Sequence, residues 1–242
     1  MKRADLLLAK MGLYESRARA QSAIKLGLVI VDGRVIKKSS EKISENSIIE
    51  AKKEFPWVSR GGVKLEHALK QFNISVKNKV CLDVGSSTGG FTEVLYINGA
   101  KKIYSVDVGR DQLHHRLKDI KKIESMENLD ARNLKKKHFT EPPQIIVCDA
   151  SFISVTKALD QALELSASEA DLVILVKPQF EVGKKGVSKG GIVKSESLAL
   201  NSLSEVSKWV KQKGWDTCES CESPIKGTSG NKEYLLHAKF KS

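Results

Sequence analysis

"KVCLDVGSSTGGFT", Lys79 to Thr92, begins as a short apolar run and breaks into a glycine-rich turn. A run of this kind bounded by turn residues predicts a buried strand over Lys79–Val84. The residues after the turn, Phe91 to Ile97, follow a helical pattern. Working outward, the same alternation continues on both sides. Gly62–Phe72 reads as a helix, Lys102–Asp107 as a strand, and Gln144–Cys148 and Leu172–Val176 as further strands. Ser195–Gln212 reads as a helix, and "YLLHAKF", Tyr234 to Phe240, as a last strand. Strands alternating with helices predict an α/β fold with a mostly parallel, doubly wound sheet. Ligands of such sheets sit beyond the carboxyl ends of the strands. Asp83, Asp107, Asp149 and Lys177 all stand at such ends.

The 242-residue chain carries a formal charge of +12, and the excess is uneven. Residues 1–60 hold 13 Lys and Arg against 7 Asp and Glu, a net of +6. A basic excess concentrated in a small segment points to a polyanion, with nucleic acid ahead of an anionic membrane. No stretch approaches the ~18 consecutive apolar residues of a membrane span. The amino-terminal residues turn charged again too soon for a secretory signal. A soluble, cytoplasmic protein without a membrane partner is expected. Cys81 and Cys148 fall inside apolar runs, where cysteine behaves as a small hydrophobe. Cys218 and Cys221 form a CxxC with no second pair to complete a zinc site, so no metal is expected.

The basic segment has its own pattern. Ala4–Met11 and Arg17–Leu26 are helical, the second opening at Ser16, a good N-cap, and closing at Gly27. "LVIVDGRVIKK" places two apolar runs around Asp32-Gly33, a strong hairpin signal, and "SIIEAKK" reads as one more short strand. The residues "SRARAQSAIKLGLVIVDGRVIKKSSEKI" resemble the S-four-type RNA-binding domain. The resemblance implies that Arg3, Arg17, Arg19, Lys25, Arg34 and Arg60 face RNA. "EFPWVSRGG" reads as a linker. The expected division is therefore residues 1–54, a linker at 55–62, and residues 63–242.

Two phosphate-binding fingerprints fail at the glycine turn. In G-x-G-x-x-G, Ser87 occupies the second glycine, the one that lets backbone approach a pyrophosphate. In G-x-x-x-x-G-K-(S/T), Phe91 stands where the phosphate-binding lysine must be. S-adenosylmethionine has no phosphates and suits the turn. Asp107, 22 residues after Gly85, is placed to hold its ribose, and Asp130 in "NLDARN" to meet its adenine.

Five motifs, "RGGVKLEHAL", "DVGSSTGGFT", "VCDASFIS", "VKPQFEVG" and "GTSGNKEYLL", together resemble the TlyA family, historically labelled hemolysins. Its catalytic domain is similar to the FtsJ-type ribose methyltransferases. The resemblance implies a catalytic tetrad at Lys64, Asp149, Lys177 and Glu233. It also implies S-adenosylmethionine held by Asp83, Gly85, Ser86, Ser87, Gly89, Gly90, Phe91, Asp107, Asp130 and Asp149. The implied reaction is methylation of cytidine 2′-hydroxyls in 16S and 23S ribosomal RNA; oligomeric state and the choice of subunit stay open. A lysine base requires a lowered pKa, which burial or a nearby positive charge provides. Lys177, ending a buried strand, fits that requirement. Rival readings are an RNA-binding protein with an inactive methyltransferase domain, a base methyltransferase and a cytolysin. The second is disfavoured because Asp149-Ala150-Ser151-Phe152 lacks the prolines of (D/N)-P-P-(Y/F).

Overall fold

The structure is a computed structural model that describes residues 1–242. The chain divides into two units, Met1–Pro56 and Trp57–Ser242.

In the first unit β1 (Lys2–Arg3) leads into α1 (Ala4–Lys10) and α2 (Arg17–Lys25). Then follow β2 (Val29–Val31), β3 (Arg34–Val35), β4 (Lys42–Ile43) and β5 (Ile49–Ala51). The Ser16 hydroxyl accepts from Arg19 N at 3.2 Å, the expected N-cap of α2. Asp32 and Gly33 both adopt left-handed backbone, φ 49° and 77°. That is what a two-residue hairpin turn with the right strand twist demands. The strands order β3-β2-β5, and β1 pairs antiparallel with β4. This last pair has two residues per strand, too short to leave a period in the sequence. Leu7, Leu8, Ile24, Val29 and Ile36 form a small closed core.

The second unit opens with α3 (Gly61–Gln71), followed by β6 (Val80–Val84), α4 (Gly90–Ile97), β7 (Lys102–Val106), α5 (His115–Lys118) and β8 (Ile123–Met126). It continues with β9 (Ile145–Cys148), α6 (Val155–Glu164), β10 (Glu169–Val176), α7 (Pro178–Glu181), α8 (Glu196–Gln212), β11 (Asp216–Glu222) and β12 (Tyr234–Lys241). One seven-stranded sheet runs β11-β12-β10-β9-β6-β7-β8. All the central pairs are parallel, while β12 runs antiparallel between β10 and β11. Strand order reverses between β6 and β9, the switch point at which such sheets bind ligands.

Two differences from the sequence reading stand out. Residues 57–62 are not a free linker: Val58 is buried against Leu65 and Phe91, and α3 already begins at Gly61. β11, which carries Cys218 and Cys221, was not foreseen. It is an edge strand of almost wholly exposed polar residues and has no apolar face to announce it.

Strand parity decides where the site forms. Leu82, Val84, Ile146, Cys148, Ile174 and Val176 face one layer, packed on α6 and α8. Cys81, Ile145, Val147, Val173, Leu175 and Leu235 face the other, packed on α3 and α4. Side chains alternate along a strand. Asp83, Asp149 and Lys177 each follow Cys81, Val147 and Leu175 by two residues, and Glu233 precedes Leu235 by two. All four therefore point to the face covered by α3, the helix that carries Lys64.

Candidate active site

The tips of β9, β10 and β12 and the first turns of α3 bring two ion pairs together. Lys64 Nζ donates to Glu233 Oε2 at 2.5 Å, with side chains 9% and 3% exposed. Lys177 Nζ lies 2.6 Å from Asp149 Oδ1, a contact that is close but not aligned as a hydrogen bond. The same ammonium donates to Ser151 Oγ at 2.7 Å and to the Asp149 carbonyl at 3.3 Å. Two further observations join the pairs. Val176 is registered opposite Tyr234, so one more step along the ladder sets Lys177 against Glu233. Opposed side chains of this kind have Cβ atoms about 5 Å apart. Gly61, one turn before Lys64, abuts Asp149: a Cβ there would lie 3.1 Å from Oδ2. The four tetrad residues thus form one cluster.

Beside it, Gly85, Ser87, Asp107, Asp130 and Asp149 line a groove of about 1070 Å³. Gly85 has φ 79°, and a Cβ there would stand 3.0 Å from Ala150 Cα, so only glycine fits. Gly90 lets α3 approach α4, because a Cβ would meet Ser59 and the Gly62 amide. Asp107 binds the turn itself, accepting from Ser87 N at 2.8 Å and Gly109 N at 2.7 Å. Asp130 is paired with Arg132 at 2.5 Å, and that guanidinium holds its carboxyl below the ordinary range.

The remaining residues of the expected cofactor set do not line the groove. Phe91 is packed in the core under α3, as its apolar ring requires. Ser86 is buried, Gly89 is closed off by Leu113 and Leu117, and Gly90 by Ser59 and Gly62. Asp83 is wholly buried; its Oδ2 accepts from Thr92 Oγ1 at 2.6 Å and its Oδ1 has no partner. Burial pushes this carboxyl up to about 7, with the charges of Asp149 and Asp107 adding to the effect. Sequence reasoning missed Arg132, Ser151 and Phe152. Phe152 has φ 65°, is 91% exposed and sits at the groove mouth. Its only sequence signal is its place after Asp149.

These surroundings fit S-adenosylmethionine. Its sulfonium and ammonium are cations and it has no phosphates; the groove offers carboxylates at the strand tips and no lysine in the glycine turn. The orphaned oxygen of Asp83 lies directly behind that turn.

Asp83 makes stability pH-dependent. Its folded value lies above the ~3.9 of an unfolded aspartate. Ionisation is therefore penalised in the fold, and stability declines as pH rises from about 4 to about 7. Urea unfolding from pH 5 to 8 should show this decline, roughly 2–3 kcal/mol over that window, and Asp83→Asn should flatten it. An unchanged slope in the variant assigns the decline to other groups.

The expected RNA-facing residues are placed as follows. Arg3 and Arg17 both bind Asp5, and Arg34 pairs with Glu41. The Arg19 guanidinium lies 4.6 Å over the Phe55 ring, and Lys25 is exposed in the last turn of α2. Arg60 belongs to the second unit, where it donates to the Lys226 carbonyl at 2.8 Å.

A reversing parallel sheet, a glycine turn that fits neither phosphate-binding fingerprint, and paired lysines and carboxylates at the strand tips are the features of an S-adenosylmethionine-dependent methyltransferase. The family model described as FtsJ-like methyltransferase matches residues 57–240, and the S4 domain matches residues 2–49. Hemolysin A of Brachyspira hyodysenteriae is 41% identical over 97% of this chain and 98% of that protein. The 16S/23S rRNA (cytidine-2′-O)-methyltransferase TlyA of Mycobacterium tuberculosis is 39% identical over 97% and 88%. A solved structure from Streptococcus thermophilus, named for hemolysin, superposes with a TM-score of 0.80 at 37% identity, covering 100% of this chain and 89% of that one. The chain belongs to the TlyA family of FtsJ-like methyltransferases.

Proposed function

We propose that this protein methylates the 2′-hydroxyl of cytidine in 16S or 23S ribosomal RNA, or in both. The observation that carries the reading is the convergence of Lys64, Asp149, Lys177 and Glu233 beside the cofactor groove. S-adenosylmethionine supplies an electrophilic methyl group, and its transfer to a hydroxyl releases one proton. Lys177, in its amine form, receives that proton. Asp149 and Ser151 fix the direction in which its nitrogen points. Lys64 and Glu233, held rigid by burial and by each other, orient the ribose oxygen. Positioning of this kind removes much of the entropic barrier to reaction. Phe152, whose exposed ring stands 5.4 Å from that of Phe180, offers a face on which an unstacked base can rest. A segment that binds RNA and a site that modifies it then lie in one chain.

The hemolysin label carried by relatives requires action on a membrane. No helix of the molecule is long and apolar enough to cross one. Leakage of phosphatidylglycerol vesicles by pure protein would favour that reading.

Tritiated S-adenosylmethionine incubated with the protein and either ribosomal subunit tests the proposal. Label should appear in alkali-resistant dinucleotides that begin with cytidine, because a methylated 2′-oxygen cannot attack the neighbouring phosphodiester. Label confined to mononucleotides would identify a base methyltransferase, and no label on either subunit would refute the assignment.

A further inference from the structure

We infer that Asp5 is a positioning residue, which locks the guanidiniums of Arg3 and Arg17 into a single fork for one phosphate of RNA. This rests on the reading of the first unit as an RNA binder.

Asp5 is fully buried near the start of α1, so it cannot touch RNA itself. Its carboxylate nevertheless gathers three side-chain donors from two elements, besides the Leu6 amide at 3.0 Å. Arg3, in β1, donates from Nε to Oδ1 at 3.1 Å and from Nη2 to Oδ2 at 3.0 Å. Arg17, the first residue of α2, donates from Nε to Oδ2 at 2.8 Å, and Gln21 from Nε2 to the same oxygen at 2.7 Å. The Arg3 side chain is 39% exposed and that of Arg17 is 52% exposed. Each guanidinium therefore binds the carboxylate through one edge and keeps other N–H groups outside. A guanidinium has five N–H donors, of which Arg3 uses two here and Arg17 one. Since both bind Oδ2, the two nitrogens lie within about 6 Å of each other. Two cations so close repel one another; the shared carboxylate offsets that repulsion and still leaves one net positive charge.

The arrangement suits a phosphodiester. Planar guanidiniums match the spacing of phosphate oxygens, and side chains already fixed lose little freedom on binding. These donors hold the Asp5 carboxyl far below the ordinary carboxylate range, the Arg3 hydrogen bonds foremost, so the fork persists at every pH at which RNA is handled.

The sign of one substitution separates this device from bulk attraction. Asp5→Asn removes a negative charge, so long-range electrostatics alone predict tighter RNA binding. The fork predicts the reverse. With the full-length protein and a labelled 23S rRNA transcript, Asp5→Asn should weaken binding about tenfold or more. The slope of log K against log salt should become shallower by about 1 to 2. In an Arg3→Ala/Arg17→Ala background the same substitution should cause no further loss, whereas a purely structural role would still lower affinity there. Because Asp5→Asn removes a buried anchor, Arg17→Lys supplies a second measurement. It keeps the ion pair but not the planar fork, and its affinity should fall nearly as far as that of Arg17→Ala. Unchanged or tighter binding by Asp5→Asn, a loss that persists in the double-alanine background, or full affinity in Arg17→Lys would each overturn the fork. Failure of the unsubstituted protein to bind the transcript would overturn the RNA reading with it.

Discussion

Lys177→Ala should lower the rate of methyl transfer by about 10²- to 10⁴-fold, the range spanned by general acid–base contributions. Affinity for S-adenosylmethionine should meanwhile hold or improve. The separation follows from where the atoms sit. Lys177 is not among the walls of the groove, whereas its partner Asp149 is. Removing the Lys177 side chain takes away the amine that would accept the proton but leaves the glycine turn, Asp107 and Asp130 untouched. It also frees the Asp149 carboxylate, which favours a cationic ligand. Single-turnover methylation with saturating cofactor, together with calorimetric titration of S-adenosylmethionine, reads the two effects apart. A rate within a few-fold of the unsubstituted protein would show that Lys177 does not handle the proton.

Glu233→Ala should destabilise the second unit by about 3–5 kcal/mol, because it leaves the Lys64 ammonium buried without a counter-charge. In a domain of this size that corresponds to a fall of roughly 10 °C in Tm. The expected size follows from burial: neither side chain is more than 9% exposed, so water cannot take over the lost partner. The double substitution Lys64→Met with Glu233→Leu should restore most of the stability, since apolar pairs of similar volume replace buried ion pairs at little cost. It should not restore methylation. A double variant as unstable as the single one would mean that the pair is needed for folding in itself. A stable and active double variant would remove both residues from the site.

Much of the second unit could be read directly from the sequence. The runs at Val80–Val84, Ile145–Cys148 and Leu172–Val176 are buried on both faces of the sheet and so appear as hydrophobic stretches, broken only by Asp83. The glycine turn was equally legible, since Gly85 answers to a local need for left-handed backbone at φ 79°. Other features leave no such trace. β8 and β11 lie at the sheet edges, and β11 buries almost nothing. The expected cofactor residues Asp83 and Phe91 share a motif with Gly85, but Asp83 lies behind the turn and Phe91 is packed under α3. A motif gives proximity in the chain and says nothing of which side faces the groove.

The sequence by itself determined the buried central strands and several of the helices, the glycine turn that departs from both phosphate-binding fingerprints, and which four side chains match the family's tetrad. These are properties of residues close together in the chain, governed by periodicity and backbone geometry. Only the tertiary structure decided that Lys64 meets Glu233 across 169 positions of sequence and that Lys177 meets Asp149 across 28. Those meetings depend on β12 entering the sheet antiparallel beside β10 and on a register that sets Val176 against Tyr234. A slip of one residue would turn Glu233 to the opposite face and leave Lys64 alone. The Asp5 clamp is of the same kind: three donors from a strand and a helix meet one carboxylate because two short helices pack together.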